Sequence, residues 1–352
     1  MASRKQAHLD LCAEEDVEYR GSTLLEEVHL LHHALPERSL AQVDTAVDLF
    51  GRRWSAPIYI AGMTGGTERA GEINRALAAA AQKTGLALGL GSQRPMWTDP
   101  EVAASYRVRD VAPDVVLFGN LGAVQVRDVG TDAVVELAEA VRADAFCVHL
   151  NVAQELVQDE GDRDFRGCLN ALAELVDRLA VPVIAKETGC GFSPPTLAAL
   201  QETGVAWIDA SGSGGTSWPG VEALRGSSRQ AAMGGVLREW GIPTAASVLY
   251  ARQAGYRTLA SGGIRNAHDV ARALALGAEA AGLALPFLRA YTRNGVAGVM
   301  SAAEELIEGL RSLCLLSGVA RPADLVRAPR VIGPVLERWA AGPVDASAGE
   351  GA

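Results

Sequence analysis

The chain has 352 residues, with 32 basic and 42 acidic side chains and a formal charge of −10, enough length to bury a core as one large domain or two ordinary ones. Its acidic balance argues against a general nucleic-acid or membrane-surface binder, which needs a basic face, so neither nucleic acid nor membrane is expected among its partners. No uncharged apolar stretch reaches the ~18 residues of a membrane span, residues 1–20 hold no apolar signal core, and five scattered cysteines without a CxxC pair read as thiols of a reducing cytoplasm.

Residues 1–56 read as an N-terminal extension. From residue 57, short apolar runs alternate with longer helical stretches. The runs are 57–61 (PIYIA), 86–90 (LALGL), 115–119 (VVLFG), 145–150 (AFCVHL), 181–186 (VPVIAK), 205–210 (VAWIDA), 257–261 (RTLAS) and 280–285 (AAGLAL). Their continuously apolar interiors suit parallel strands covered on both faces. Between them, stretches at 73–85, 132–143, 169–180, 196–204 and 267–278 carry apolar residues three and four apart. Strand starts mostly lie ~23–36 residues apart, one βα unit each. The sixth unit is longer, because 212–243 forms a Gly/Ser/Trp-containing excursion before a helix at 244–255. Eight units predict an α/β fold, a (β/α)8 TIM barrel over 57–298. A helical C-terminal extension at 299–340 and a disordered tail at 341–352 follow.

In such a barrel, chemistry gathers where strands end. The ends here read GMTGGT (62–67), GSQR (91–94), GNLGA (119–123), HLNVAQE (149–155), KETGCGFS (186–193), DASGSGGTSW (209–218), SGGIR (261–265) and LALPF (283–287). Tight turns explain each glycine singly but explain the full set poorly. SGGIR with GLAL at the last two strands, one strand after GSGGTS, suits a bound phosphate: glycines admit it to backbone N–H groups, and Thr216 can add a hydroxyl. Lys186 ends an apolar strand. It is either a snorkelling surface lysine or an ammonium beside the ring nitrogen of a reduced flavin. Asn120, Ser92 and Thr64 suit hydrogen bonds to a heteroaromatic edge, and flavin mononucleotide fits this layout. His149 and Asn151 share one face of an ending strand, with Gln154 and Glu155 just beyond. One carboxylate is too little for an all-protein metal cage but suits Mg²⁺ shared with substrate phosphates. Residues 160–165 (EGDRDF) read equally as a solvated loop or a lid, and Arg4, Lys5 and His8 as an exposed start or a local diphosphate grip.

Taken in order, RKQAH (4–8), HHALPE (32–37), MTGG (63–66), GSQR, HLNxxQE, EGDRDF, KETGxG, SGxGGTSW and SGGIR closely resemble the type 2 isopentenyl-diphosphate isomerase family over roughly residues 3–335. The resemblance implies a cytoplasmic, FMN-dependent TIM-barrel enzyme, a homotetramer or homo-octamer. It interconverts isopentenyl and dimethylallyl diphosphate in isoprenoid biosynthesis, with reduced FMN, Mg²⁺ and NADPH as reductant. Carried over by motif, Met63, Thr64, Gly65, Ser92, Asn120, Lys186, Ser211, Thr216, Gly262, Gly263, Arg265, Ala284 and Leu285 hold FMN. Arg4, Lys5, His8, Ser92, Gln93, Arg94, Asn151 and Gln154 face the substrate, and Glu155 ligates the metal. The flavin N5 is the implied acid/base, assisted by Gln154 and His149. Thr188 stands where the family often has valine, and Cys190 is an extra thiol with no assigned role.

Two other classes remain as alternatives. Other FMN barrel oxidoreductases place a histidine before the late-strand glycines or a cysteine in a Gly-Ser loop, and 209–218 holds neither. A non-catalytic flavin binder would have no need of Arg4, Lys5, His8, Gln154 and Glu155.

Overall fold

The computed structural model describes residues 2–342, with side chains described for Lys5 and from Ala7 onward. The Arg4 side chain and the tail from residue 343 therefore lie outside the described residues.

Eight parallel strands close into a barrel in sequence order. They are β1 (Ile58–Ile60), β2 (Ala87–Gly89), β3 (Leu117–Gly122), β4 (Ala145–Leu150), β5 (Val183–Glu187), β6 (Trp207–Asp209), β7 (Arg257–Ala260) and β8 (Ala280–Leu283). Closure comes from β8 against β1, with Ala281 opposite Ile58 and Leu283 opposite Ile60. Each strand falls where an apolar run predicts one. The third differs most, running on through Asn120 to Gly122 instead of stopping at Gly119. Gly119 is there for packing: a Cβ on it would lie 2.5 Å from Phe146 Cδ2. The eighth run stops early, since Leu285 already opens a helix with proline in its first turn.

The helices obey their end signals. Glu68–Thr84 starts at Thr67, whose side chain accepts the Ala70 N–H, and stops at Gly85 in the left-handed conformation (φ 70°). The excursion after β6 folds as two helices, Trp218–Arg225 and Ser228–Leu237. The helix after β8 runs from Leu285 to Leu316 with non-helical backbone at Asn294 and Gly295.

The N-terminal extension works at both ends of the barrel. A hairpin, Val47–Leu49 with Arg52–Trp54, plugs the amino-terminal end with aromatic rings. Phe50 lies 4.4 Å from Trp207 and 5.1 Å from Phe118 between ring centroids. At the carboxyl end, the helix Ala2–Glu14 packs against Trp218–Arg225 and Leu285–Leu316. Val28–Leu30 pairs antiparallel with Arg330–Ile332, so the two extensions are stitched together.

Candidate active site

The mouth of the barrel is a cavity lined by the ends of all the strands and by the N-terminal helix. Among the described residues its cations are Lys5, Arg94, Lys186 and Arg265, against one lining carboxylate, Glu155. In a chain with a net charge of −10, the lining of this opening thus carries more cationic than anionic side chains, while the carboxylates that pair with Lys186 and Arg265 stand behind it.

On one side, two glycine loops interlock. A Cβ on Gly215 would overlap the Gly263 amide, and one on Gly262 would overlap the Gly212 carbonyl. Ser211, just past β6, holds a left-handed φ of 28°, a strain that non-glycine residues keep only where the surroundings impose it. Its carbonyl accepts the N–H groups of Gly189 and Gly191 at 2.9 and 3.1 Å. The segment after the N-terminal helix straps these loops down: Tyr19 N–H donates to Gly215 O at 2.7 Å, and Glu18 bridges to Thr216. Arg265 donates through Nε to Glu18 at 2.8 Å, and Arg289 approaches the same carboxylate at 3.4 Å. Ser211, Thr216, Gly262, Gly263, Arg265, Ala284 and Leu285 all line the cavity here.

Deeper, Lys186 Nζ donates to Asp209 Oδ2 at 2.7 Å and to Ser261 Oγ at 3.0 Å. Beside it, Asn120 Nδ2 donates to Leu90 O at 3.1 Å, so its Oδ1 is the acceptor that lies 2.7 Å from His149 Nδ1. Neutral His149 therefore carries its proton on Nδ1 and leaves Nε2 as an acceptor. Burial, reinforced by the ammonium groups of Lys186 and Lys5, lowers His149 from 6.5 to about 4. Met63 and Thr64 complete this wall, and Thr64 Oγ1 is buried without a hydrogen-bond partner.

At the rim, one chain of contacts joins five helices and the loop that carries Asp162. Asn151 Nδ2 donates to Glu155 Oε1 at 2.7 Å, and the Asp162 amide donates to Glu155 Oε2 at 2.8 Å. Asp162 in turn accepts from Gln125 at 2.7 Å and lies 4.0 Å from Arg94, so EGDRDF folds beneath Glu155. Gln154 Nε2 donates to Glu222 Oε1 at 2.9 Å, as does Gln158 at 2.8 Å, while His8 Nε2 lies 2.9 Å from the same carboxylate. Burial pushes the Glu222 carboxyl up, but His8, Gln154 and Arg225 outweigh it and bring the group to about 2. Lys5 Nζ donates to Ser92 O at 3.1 Å and to Tyr106 OH at 3.0 Å.

Two expected contacts are not cavity contacts. Gln93 is fully buried in the wall, where its Nε2 donates to Leu137 O at 2.9 Å and its Oε1 accepts the Asn120 N–H at 3.0 Å. It holds β3 in place and does not line the cavity. Gly65 packs against the Tyr106 ring, where a Cβ would overlap it. Sequence reasoning missed Glu222, Asp209, Tyr106, Trp218 and Gln158. Asp209 had a visible signal, a carboxylate closing the apolar run VAWID. Glu222 had only its place beside Val221 on a short helix.

The residues present fit FMN. An unpartnered Thr64 hydroxyl, glycine loops with no room for Cβ atoms and a lysine ammonium with one N–H to spare all face the same cavity. Among the described residues no group of three or more His, Cys, Asp or Glu is placed to hold a metal. A cation at Glu155 would therefore need oxygens from a bound phosphate.

Residues 149–331 match the family of FMN-dependent dehydrogenases. Mandelate oxidase structures share the fold, with a TM-score of 0.64 at 21% identity over 93% of this chain and 96% of that one. A second, holding a monooxide FMN adduct, scores 0.62 at 20% identity over 93% and 92%. The isopentenyl-diphosphate delta-isomerase of Halobacterium salinarum is 46% identical over 322 residues, covering 90% of this chain and 89% of the relative. That of Methanosarcina mazei is 43% identical over 335 residues, covering 94% and 91%. That of Pyrococcus abyssi is 43% identical over 348 residues, covering 96% and 94%. With identity of this order running nearly end to end, and a match to the FMN-dependent dehydrogenase family over residues 149–331, the chain belongs to the FMN-dependent isopentenyl-diphosphate delta-isomerases.

Proposed function

We propose that the barrel mouth interconverts isopentenyl and dimethylallyl diphosphate, a step of isoprenoid biosynthesis, with the carried-over residues in the roles their positions allow. The supporting observation is that the glycine loops and Lys186 share one cavity with Lys5, His8, Arg94, Gln154 and Glu155. A flavin binder alone needs the first set; an alkenyl diphosphate explains the second.

Met63, Thr64, Ser92, Asn120 and Lys186 would hold the ring of FMN, with Ser211, Thr216, Gly262, Gly263, Arg265, Ala284 and Leu285 around its phosphate. When bound and reduced, FMN supplies an electron-rich ring able to exchange a proton. Lys5, His8 and Arg94 would grip the diphosphate, joined by Mg²⁺ on Glu155. Asn151 orients both Gln154 and Glu155 through its amide. Gln154, fixed by Glu222, and neutral His149 act as hydrogen-bonding groups beside the alkene and add no charge there. The helix Ala2–Glu14 covers the mouth with Leu9 and Cys12, which would exclude water from a developing carbocation. NADPH is the proposed reductant, the cytoplasm the proposed location, and a homotetramer or homo-octamer the proposed assembly. Among the described residues no helix is long and apolar enough to cross a membrane.

The test is anaerobic incubation with FMN, NADPH, Mg²⁺ and isopentenyl diphosphate in D₂O, read by NMR. Deuterated dimethylallyl diphosphate should form, and only with reduced flavin. A bound, reducible flavin without conversion would sink the isomerase assignment.

A further inference from the structure

Four strands deliver one buried polar network beneath the cavity. Lys186 and Asp209 are register partners on β5 and β6, so both side chains enter the barrel. Tyr59 of β1 donates to Asp209 Oδ2 at 2.6 Å, and Ser261, just past β7, donates to Asp209 Oδ1 at 2.6 Å. Asp209 is 1% exposed and does not line the cavity; Lys186 and Ser261 do. A lysine ammonium carries three N–H groups. Asp209 and Ser261 engage two of them and leave one for the cavity.

The other titratable groups around Lys186 cannot replace Asp209. Burial, aided by the Asp209 charge, pushes the Cys147 thiol on β4 up to about 12, so it stays neutral. His149 on β4 is also neutral, and Tyr59 is a buried phenol that donates. Glu187 alternates to the outer face of β5, where its carboxylate accepts the amides of Thr188, Cys190 and Gly191. A buried ammonium stripped of its counter-ion tends to lose its proton or turn away.

We infer that Asp209 is a positioning residue that keeps Lys186 charged and aimed at the flavin ring, and thereby sets how readily reduced FMN gives up its N1 proton. This rests on the reading of the cavity as an FMN site. Tyr59 and Ser261 act behind it, holding both carboxylate oxygens in place.

The test uses the FMN-loaded chain and its variants Asp209→Asn, Lys186→Met, the double variant and Ser261→Ala. Each is reduced anaerobically with dithionite, and the reduced-flavin absorbance is titrated against pH. Asp209→Asn should raise the N1 midpoint by about one pH unit or more, Lys186→Met should do the same, and the double variant should add nothing further. An unchanged or lowered midpoint in Asp209→Asn with flavin bound overturns the inference, as does a shift that adds to that of Lys186→Met. If Asp209→Asn retains no flavin, Ser261→Ala decides: a smaller upward shift supports the role, and no shift overturns it. Failure of the unmodified chain to bind FMN would instead refute the cofactor reading itself.

Discussion

Glu155 has each carboxylate oxygen in one hydrogen bond, from Asn151 at 2.7 Å and from the Asp162 amide at 2.8 Å, leaving a lone pair on each for a cation. Glu155→Ala should keep the flavin spectrum and lose Mg²⁺-dependent turnover on the order of 100-fold; unchanged turnover would remove Glu155 from the reaction. Glu222 is a different kind of carboxylate, fully buried and shared among His8, Gln154, Gln158 and Arg225. Its folded value of about 2 lies below the ordinary 4.5, so the unfolded chain binds its proton first as pH falls. The stability it contributes, about 3 kcal/mol, is therefore present above pH 4.5 and lost as pH falls toward 2. Glu222→Gln should be less stable than the parent at neutral pH, with a gap that closes in acid. Urea unfolding across that range checks this, and a gap independent of pH would contradict it. Glu155 was legible from HLNVAQE because the motif is contiguous. Glu222 was not, because its partner His8 is distant in sequence and meets it only across the barrel mouth.

At the scale of elements, periodicity predicted every barrel strand and most of the helices between them, since apolar runs and 3.6-residue spacing are local signals. Glycines were read less well. Gly119 looked like a turn, yet it sits inside β3 to clear Phe146. Gly263 is a turn glycine in fact, with φ 71°, and a Cβ on it would overlap Thr23 Cγ2 and lie 2.6 Å from Gly214 O. Gly263→Ala should therefore spread the two interlocked loops and lift the strap at Thr23. The expected result is about 2 kcal/mol of lost stability and a protein that no longer retains FMN through gel filtration. Full flavin retention with an unchanged melting temperature would show that the loops tolerate the displacement.

For the whole molecule, the barrel is closed at one end by the aromatic hairpin and covered at the other by the N-terminal helix, so a cofactor in the mouth binds the folded chain and not the unfolded one. FMN at 100 times its dissociation constant should stabilise the protein by about 2.7 kcal/mol, seen as a rise of a few degrees in melting temperature that grows with FMN concentration. A melting temperature indifferent to FMN would mean that the cavity holds no flavin.

The sequence by itself determined the α/β barrel, its strand order and most of the residues at its mouth. Strand and helix periods, glycine turns and contiguous motifs are short-range properties written along the chain, and a closed barrel brings all of its strand ends to one face. Only the tertiary structure decided which of those residues look into the cavity and what stands behind them. Gln93 turns into the wall, Arg265 pairs with Glu18, His8 meets Glu222, and Asp209 lies beneath Lys186. Burial and pairing of charge depend on which distant segments the closure brings within 3 Å of one another, and no local pattern in the chain encodes that.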